Sequence, residues 1–156
     1  PSSPSAFRLR LRQPGWSRQA SVRVNGETVS ARAENGFIAL ERTWKRGDSV
    51  ELTIDMPVSV TRGTVQGEPR AAVSYGPLVL AIDSRYGAAI DDVALVLGSS
   101  GQLTLIEQPA DPVAPIVRFE TPGLIRGKSA KITLVDYASA GSINKAVDTF
   151  RIWLRR

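Results

Sequence analysis

The residues that could perform catalysis in this 156-residue chain are few. It contains no histidine and no cysteine, which excludes imidazole bases, Ser-His-Asp and Cys-His pairs, thiolate metal sites and nearly all zinc chemistry. Asp91 and Asp92 are the only adjacent carboxylates. Since neighbours on a strand point to opposite faces, this pair indicates an acidic turn rather than a general acid and base.

No other spacing indicates a reactive site. Gly98-Ser99-Ser100-Gly101 lacks the lysine of a phosphate-binding loop and reads as a hairpin loop. Two distant carboxylates could hydrolyse a glycoside if the fold placed them roughly 5–9 Å apart, but no pattern points to such a pair. We therefore predict no catalytic residue, no metal site and no cofactor in this chain, which by itself is not an enzyme.

Aromatic side chains are the remaining candidates for a binding site, because the apolar faces of their rings can stack on sugars. Trp16 follows a Pro-Gly turn and Trp44 precedes a charged turn, so both lie near strand ends. Packing in the core is the favoured interpretation of each. A platform for carbohydrate, formed by Trp16, Trp44 or Tyr137, is the alternative.

Trp153 lies in the last predicted strand. Alternation there places Phe150, Ile152 and Leu154 on one face and leaves Trp153 with its arginine neighbours on the other. A large aromatic ring on a polar face predicts a cation–π stack with arginine or a contact with something outside this chain.

The charge of the chain argues against nucleic acid as a partner. Twenty basic and fifteen acidic residues give a net charge of +5, and the two signs are interleaved from end to end, as on a solvated surface. No apolar run is long enough to cross a membrane, so we predict no membrane partner. The opening residues Pro1-Ser2-Ser3-Pro4 are typical of a cut in a longer protein. The sequence specifies no compartment, and a bacterial cytoplasm and export are both open.

Almost every segment has the periodicity of a β-strand. Residues 7–12 alternate apolar and arginine, Asn25-Gly26 predicts a type I′ hairpin turn, and the apolar run 78–82 predicts a strand buried on both faces. Short strands are expected at 93–97, 103–106 and 116–119, and one helical turn at 88–92. The predicted fold is an all-β antiparallel sandwich, jelly-roll or immunoglobulin-like.

The first strand carries Arg8, Arg10 and Arg12 on its polar face. Such a face needs carboxylate neighbours, because like charges across a strand pair are unfavourable. We predict that the strand at 50–56 lies beside one of the arginine-rich strands and that its Glu51 and Asp55 neutralise it.

Several segments, taken in order, resemble the C-terminal region of the β-L-arabinofuranosidase-like glycoside hydrolases, family 127. They are LRLRQPGW at 9–16, VNGE at 24–27, the stretch 36–57 with TWKRGD at 43–48, YGPLV at 75–79, YASAG at 137–141 and FRIWL at 150–154. Gln13 departs from the apolar residue expected before Pro14. The resemblance covers 7–83 and 130–156 and hardly touches 84–128.

The resemblance implies an (α/α)6-barrel catalytic domain followed by β-sandwich domains. The family's catalytic cysteine, its zinc-binding cysteines and glutamate and its acid/base glutamate lie in that barrel, and none has a counterpart here. The closing strand is then expected in the same sheet as the first strand. Residues 1–83 with 129–156 would form the main sandwich, and 84–128 a smaller inserted β lobe or long connection.

The predicted function is a non-catalytic C-terminal β-sandwich domain of a glycoside hydrolase that supports the barrel or takes part in a homodimer. Its partner would be the missing N-terminal catalytic domain of the same polypeptide. A carbohydrate-binding module is one alternative. An immunoglobulin-like interaction domain is another, because sandwich folds host many functions.

Overall fold

A computed structural model describes residues 1–87, 90–96, 103–106, 117–141 and 149–155 of the chain. The chain divides into two units, Pro1–Pro57 and Val58–Arg156. Antiparallel strands dominate both, which confirms the all-β prediction. In the described residues, no helix has the length and apolar character needed to cross a membrane.

The first unit is a sandwich of two small sheets. Its strands are β1 (Ser5–Arg12), β2 (Ala20–Val24), β3 (Glu27–Val29), β4 (Ala33–Glu34), β5 (Phe37–Trp44) and β6 (Val50–Ile54). One sheet has the order β1-β5-β4 and the other β3-β2-β6. The inward positions of both sheets supply the core, in which Val22, Val24, Ile38, Leu40 and Trp44 are buried.

The second unit contains β7 (Val58–Val65), β8 (Glu68–Tyr75), β9 (Leu78–Asp83), β10 (Val93–Leu95), β11 (Thr104–Leu105), β12 (Arg118–Ile125), β13 (Lys128–Asp136), β14 (Phe150–Arg151) and β15 (Leu154–Arg155). Two 3-10 turns, Ser84–Tyr86 and Ile90–Asp92, lie between β9 and β10. The second turn agrees with the helical turn predicted at 88–92, of which 88–89 lie outside the described residues.

Strand pairing in the second unit returns to its starting point. β8 pairs with β9, β9 with β13, β13 with β12, β12 with β10, β10 with β15, and β15 again with β8. This closed path forms a small barrel, whose interior is filled by apolar side chains. Each of the six strands in the path contributes to it: Val73, Leu80, Ile82, Val93, Leu95, Phe119, Ile132, Leu134 and Leu154 are buried there.

Two predictions about connectivity are wrong. The first and last strands lie in different sheets, β1 in the sandwich and β15 in the barrel. Alternation identifies a strand's buried face but not its partner. β1 pairs with β5, which places Arg8 directly opposite Glu41, and their side chains form an ion pair of 2.9 Å.

The neutralising role predicted for β6 is also wrong. β6 pairs with β2, so Glu51 lies opposite Arg23 rather than beside β1. On β1, the Arg10 guanidinium lies 4.3 Å from the centre of the Phe37 ring. A cation–π contact and the Glu41 ion pair therefore do what the carboxylates of β6 were expected to do.

The predicted division into 1–83 plus 129–156, with 84–128 inserted, differs from the two units observed. Residues 118–125 form β12, which pairs with β13 along its whole length, and residues 93–95 join it in the barrel wall. The described parts of 84–128 are thus integral to the second unit. The boundary between units falls instead after Pro57.

Candidate ligand-binding groove

An open groove of about 450 Å³ lies on the outside of the second unit. We call it the barrel groove. Its lining comes from Val65, Gln66 and Arg70 at the β7–β8 hairpin, Asp91 of the second 3-10 turn, Tyr137 after β13, and residues 150–153 and 155 of the terminal segment. Two of the four aromatic residues selected from the sequence, Tyr137 and Trp153, therefore lie in one groove.

The terminal segment bends in the middle, and this bend creates the groove. Phe150 and Arg151 pair with β9, whereas Leu154 and Arg155 pair with β8, and the chain between them leaves the strand. The prediction that Phe150 shares a buried face with Leu154 is wrong, since Phe150 is 44% exposed and Leu154 only 1%. A bend resets the alternation, so Phe150 before it and Trp153 within it both reach the surface.

Trp153 rests on the backbone of β7. A Cβ atom on Gly63 would lie 3.3 Å from Cζ3 and 3.4 Å from Cη2 of the indole ring. The absent side chain at Gly63 therefore leaves the space in which the ring lies. The ring remains 38% exposed, so part of it faces solvent.

A second aromatic surface is formed by Tyr137 and Phe150. Their ring centres are 5.7 Å apart and the planes are tilted by 60°. Gly141 lies behind Phe150: a Cβ there would come within 2.9 Å of the phenyl ring, and the backbone φ is +68°. Both the close approach and the positive φ favour glycine at this position.

The charges of the groove are unbalanced. Arg151 forms an ion pair of 2.7 Å with Asp91. Arg70 and Arg155 lie directly opposite each other on β8 and β15, an arrangement that repels. In the described part of the chain, neither guanidinium has a carboxylate within ion-pair distance. The described lining residues thus carry two positive charges without a paired carboxylate beside their aromatic rings.

The described lining does not hold the pair of carboxyl groups typical of a glycosidase. Hydrolysis of a glycoside usually requires two carboxyl groups flanking the bond, and among the described lining residues only Asp91 carries one. The side chain of Asp92 lies outside the described residues. The zinc site implied by the sequence resemblance does not fit this chain, which has no cysteine, and no group of three acidic residues meets in the described parts.

Two buried carboxylates that sequence reasoning missed hold the loop that carries Tyr137. Asp136 accepts hydrogen bonds from the Ser139 backbone (2.9 Å) and hydroxyl (2.8 Å). Asp83 accepts from Gly141 N at 3.0 Å and binds the Arg85 guanidinium through both oxygens. Each aspartate directly follows a mainly apolar run of its strand. That position is the feature of the sequence that could have identified these two residues.

The environment of Asp83 keeps it charged. Its side chain is fully buried, which by itself raises the pKa of the carboxyl. The hydrogen bonds from the Arg85 side chain, Gly141 N and Arg85 N outweigh burial, so the pKa of Asp83 is lowered. The result is a charged, fully bonded anchor beneath residues 137–141.

The other two candidates, Trp16 and Trp44, belong to the first unit. Trp44 is 4% exposed, stacks on Phe7 with ring centres 5.7 Å apart, and donates its Nε1 proton to the Phe7 carbonyl at 3.1 Å. It is a core residue, the interpretation that the sequence favoured. Trp16 lies half-buried in the turn after Pro14.

The family model and the solved structures that match the chain are those of glycoside hydrolases. Residues 1–56 match the family model described as beta-L-arabinofuranosidase, GH127 middle domain. A solved structure titled glycoside hydrolase aligns with 96% of this chain at TM-score 0.77 and 28% identity, and 28% of that chain is covered. A GH127 beta-L-arabinofuranosidase from Geobacillus stearothermophilus T6 aligns with 98% of this chain at TM-score 0.79 and 23% identity, with 27% of its own chain covered; at that identity the likeness is one of fold.

Two curated relatives match over shorter stretches. A non-reducing end beta-L-arabinofuranosidase from Bifidobacterium longum subsp. longum is 35% identical over 81 residues, 48% of this chain and 12% of that protein. An ATP-dependent lipid A-core flippase from Methylococcus capsulatus is 29% identical over 96 residues, 61% of this chain and 16% of that protein. The flippase belongs to another class, and the near-complete structural matches outweigh it. The chain spans less than a fifth of either relative.

Proposed function

We propose that the chain is a non-catalytic β domain of a longer β-L-arabinofuranosidase-like enzyme of glycoside hydrolase family 127, whose middle-domain model matches residues 1–56. One observation carries the proposal. The chain contains no cysteine and no histidine, and nearly all of it aligns with little more than a quarter of the length of each glycoside hydrolase structure. A domain of this kind contributes packing surface and stability rather than reacting groups.

The composition of the surface supports this role. Among its described lining residues, the barrel groove offers one carboxylate, paired with Arg151, and no nucleophile with an adjacent base. The chain's partner would be the catalytic domain of the same polypeptide, which it supports directly or by mediating a homodimer.

One experiment tests the lack of catalysis. The 156-residue chain and the full-length protein encoded by its gene are each incubated with an aryl β-L-arabinofuranoside, and aglycone release is measured. We expect turnover by the full-length protein and none by the chain above the buffer rate. Hydrolysis by the chain alone, or a gene with no further domain upstream or downstream, would contradict the proposal.

The supporting role is tested separately in the full-length protein. Deletion of the segment equivalent to residues 1–156 should lower the thermal midpoint of the remaining domain and its soluble yield. A remaining domain that keeps its midpoint, oligomeric state and turnover would show that the chain supports nothing there.

A further inference from the structure

We propose that the barrel groove binds a short oligosaccharide carrying carboxylate groups, that is, a uronate-containing glycan. The proposal goes beyond the accessory role above. It does not depend on that role, because every described lining residue of the groove belongs to the second unit of this chain. It rests on three features of the described residues: exposed aromatic rings, two facing arginines without a carboxylate partner, and a carboxylate that can accept hydrogen bonds from hydroxyl groups.

The aromatic rings supply the stacking surface. Trp153, Tyr137 and Phe150 are 38%, 47% and 44% exposed, and all three lie around one open groove. Large rings left this accessible favour a binding role over core packing. Ring faces of this kind can stack on the apolar C–H faces of pyranose sugars, a contact that the polar lining residues cannot supply.

The arginines select for negative charge. Arg70 and Arg155 face each other across two paired strands, where like charges repel. A ligand carboxylate between them would turn this repulsion into two charge-assisted hydrogen bonds, and the planar guanidinium is suited to bind carboxylate through two parallel bonds. The uncompensated pair therefore indicates an anionic ligand.

Asp91 distinguishes a sugar from other anions. Its side chain is 78% exposed while it holds Arg151, so lone pairs remain available to accept hydrogen bonds. Sugar hydroxyls can donate to them, whereas the phosphodiesters of a nucleic-acid backbone carry no hydrogen-bond donor. A groove of about 450 Å³ is also of the size of small-molecule sites rather than of an extended polymer track.

The test uses trigalacturonate as the probe and its fully methyl-esterified form as the matched neutral control. The two share rings and linkages and differ in charge. Binding to the 156-residue chain is measured by isothermal titration calorimetry, and the Trp153 indole resonance is followed by NMR. We expect saturable binding of trigalacturonate, at least about tenfold weaker binding of the ester, and loss of affinity as salt increases.

Variants assign the binding to the groove. Trp153→Ala and Arg155→Gln should each weaken trigalacturonate binding about tenfold, the loss typical of one stacking or charge-assisted contact. Arg18→Gln, at an exposed position of the first unit, should leave affinity within about twofold. Because Arg155→Gln also removes a repulsive pair, we expect its thermal midpoint to equal or exceed that of the wild type. Loss of binding in that variant would then not result from unfolding.

Several results would overturn the proposal. These are no saturable binding of trigalacturonate, equal affinity for the ester, equal losses in Arg18→Gln and Arg155→Gln, or full displacement by a single-stranded oligonucleotide of matched charge. Each leaves the test of the accessory role untouched, because aryl-glycoside turnover and deletion of the whole segment do not depend on this groove.

Discussion

A Cβ atom on Gly123 would lie 2.8 Å from the carbonyl oxygen of Ala94 on the neighbouring strand β10, and it would also overlap Cγ1 of Ile132 on β13. The carbonyl belongs to a strand that closes the barrel through its pairing with β12 and β15. The carbonyl cannot move without disturbing a strand pair, and the Ile132 side chain is packed among the buried residues of the core. The barrel thus requires a residue without a side chain at position 123.

We expect Gly123→Ala to lower the free energy of unfolding of the second unit by about 2–3 kcal/mol, the typical effect of overpacking. Urea unfolding followed at the Trp153 indole measures it, since Trp153 is the tryptophan of that unit. Gly87→Ala is the matched control, because Gly87 has an extended backbone and no atom within 4 Å of the added Cβ. An equal effect of both substitutions would refute the steric explanation.

The buried pair of Asp83 and Arg85 predicts a pH-dependent contribution to stability. Asp83→Asn removes the charge from a fully buried carboxylate and so removes its ion pair with the Arg85 guanidinium, whose side chain is 12% exposed. Breaking such a pair from one side costs about 3 kcal/mol at neutral pH. Asp91→Asn, which breaks an ion pair whose carboxylate is 78% exposed, should cost less than about 1 kcal/mol.

The sign of the pH dependence follows from the lowered pKa of Asp83, in which burial is outweighed by the bonds from Arg85 and Gly141. Its contribution is fully present above the pKa of an unfolded Asp, about 3.9, and is lost as pH falls through the lower folded value. The gap between wild type and Asp83→Asn should therefore be constant from pH 7 to about 5 and shrink below about 4. A gap that widens as pH falls would contradict the assignment.

The alternation of apolar and polar residues correctly predicted strands and turns where the fold follows that alternation. Leu9 and Leu11 of β1 pack on the core while the intervening arginines are exposed. The Asn25-Gly26 turn has φ values of +53° and +83°, as a type I′ hairpin requires. Burial of residues 80–82 is confirmed, whereas Val79 in the same run is 38% exposed.

The sequence prediction underestimated the length of a strand that contains turn-forming residues. The strand expected at 116–119 begins at Arg118 and continues to Ile125, through Pro122 and Gly123. Pro-Gly normally signals a turn. Here Pro122 is exposed and Gly123 is required for the close approach of Ala94. Packing between strands, which the local sequence does not show, therefore places this Pro-Gly pair inside a strand and not in a turn.

The candidate groove was predictable by residue type but not by location. Trp153 and Tyr137 were selected as aromatic candidates for a contact or a carbohydrate platform, but nothing in their spacing relates them to Arg70 or Asp91. Barrel closure brings these distant positions together through the pairing of β15 with β8. The bend at 152–153 adds to this, because it interrupts the alternation that the sequence shows.

A further prediction concerns Asp55 in the first unit. Its Oδ1 accepts hydrogen bonds from Gln19 N (2.8 Å), the Ser17 hydroxyl (2.7 Å) and Arg18 N (2.9 Å). The bond from Gln19 N, followed by that from Ser17, lowers the pKa of the Asp55 carboxyl. These contacts fold residues 17–19 against the end of β6.

We expect the Gln19 amide resonance to titrate with a midpoint below the usual Asp value of about 3.9. The order of residues 17–19 should be kept above that midpoint and lost as pH falls through it. NMR titration measures the shift. Ser17→Ala should move the midpoint upward, and Asp55→Asn should abolish the titration. An unchanged Gln19 titration in Asp55→Asn would assign it to another carboxyl.

The contact between Gly63 and Trp153 links the groove to the barrel wall. A Cβ at Gly63 would lie 3.3 Å from Cζ3 of the indole, so the larger Gly63→Val side chain must displace the ring. β7 is paired with β8, and the ring is already part-exposed. The ring can therefore swing outward without disrupting the core.

We accordingly expect Gly63→Val to change the free energy of unfolding by less than about 1 kcal/mol, as surface substitutions do, while shifting the Trp153 indole resonance. It should also weaken trigalacturonate binding about as much as Trp153→Ala does. Thr64→Val is the matched control, since Thr64 is exposed on the same strand and its side chain points to the opposite face. If Gly63→Val left the indole resonance unmoved, Trp153 would not rest on β7. If it moved the resonance but not the affinity, the ring would not take part in binding.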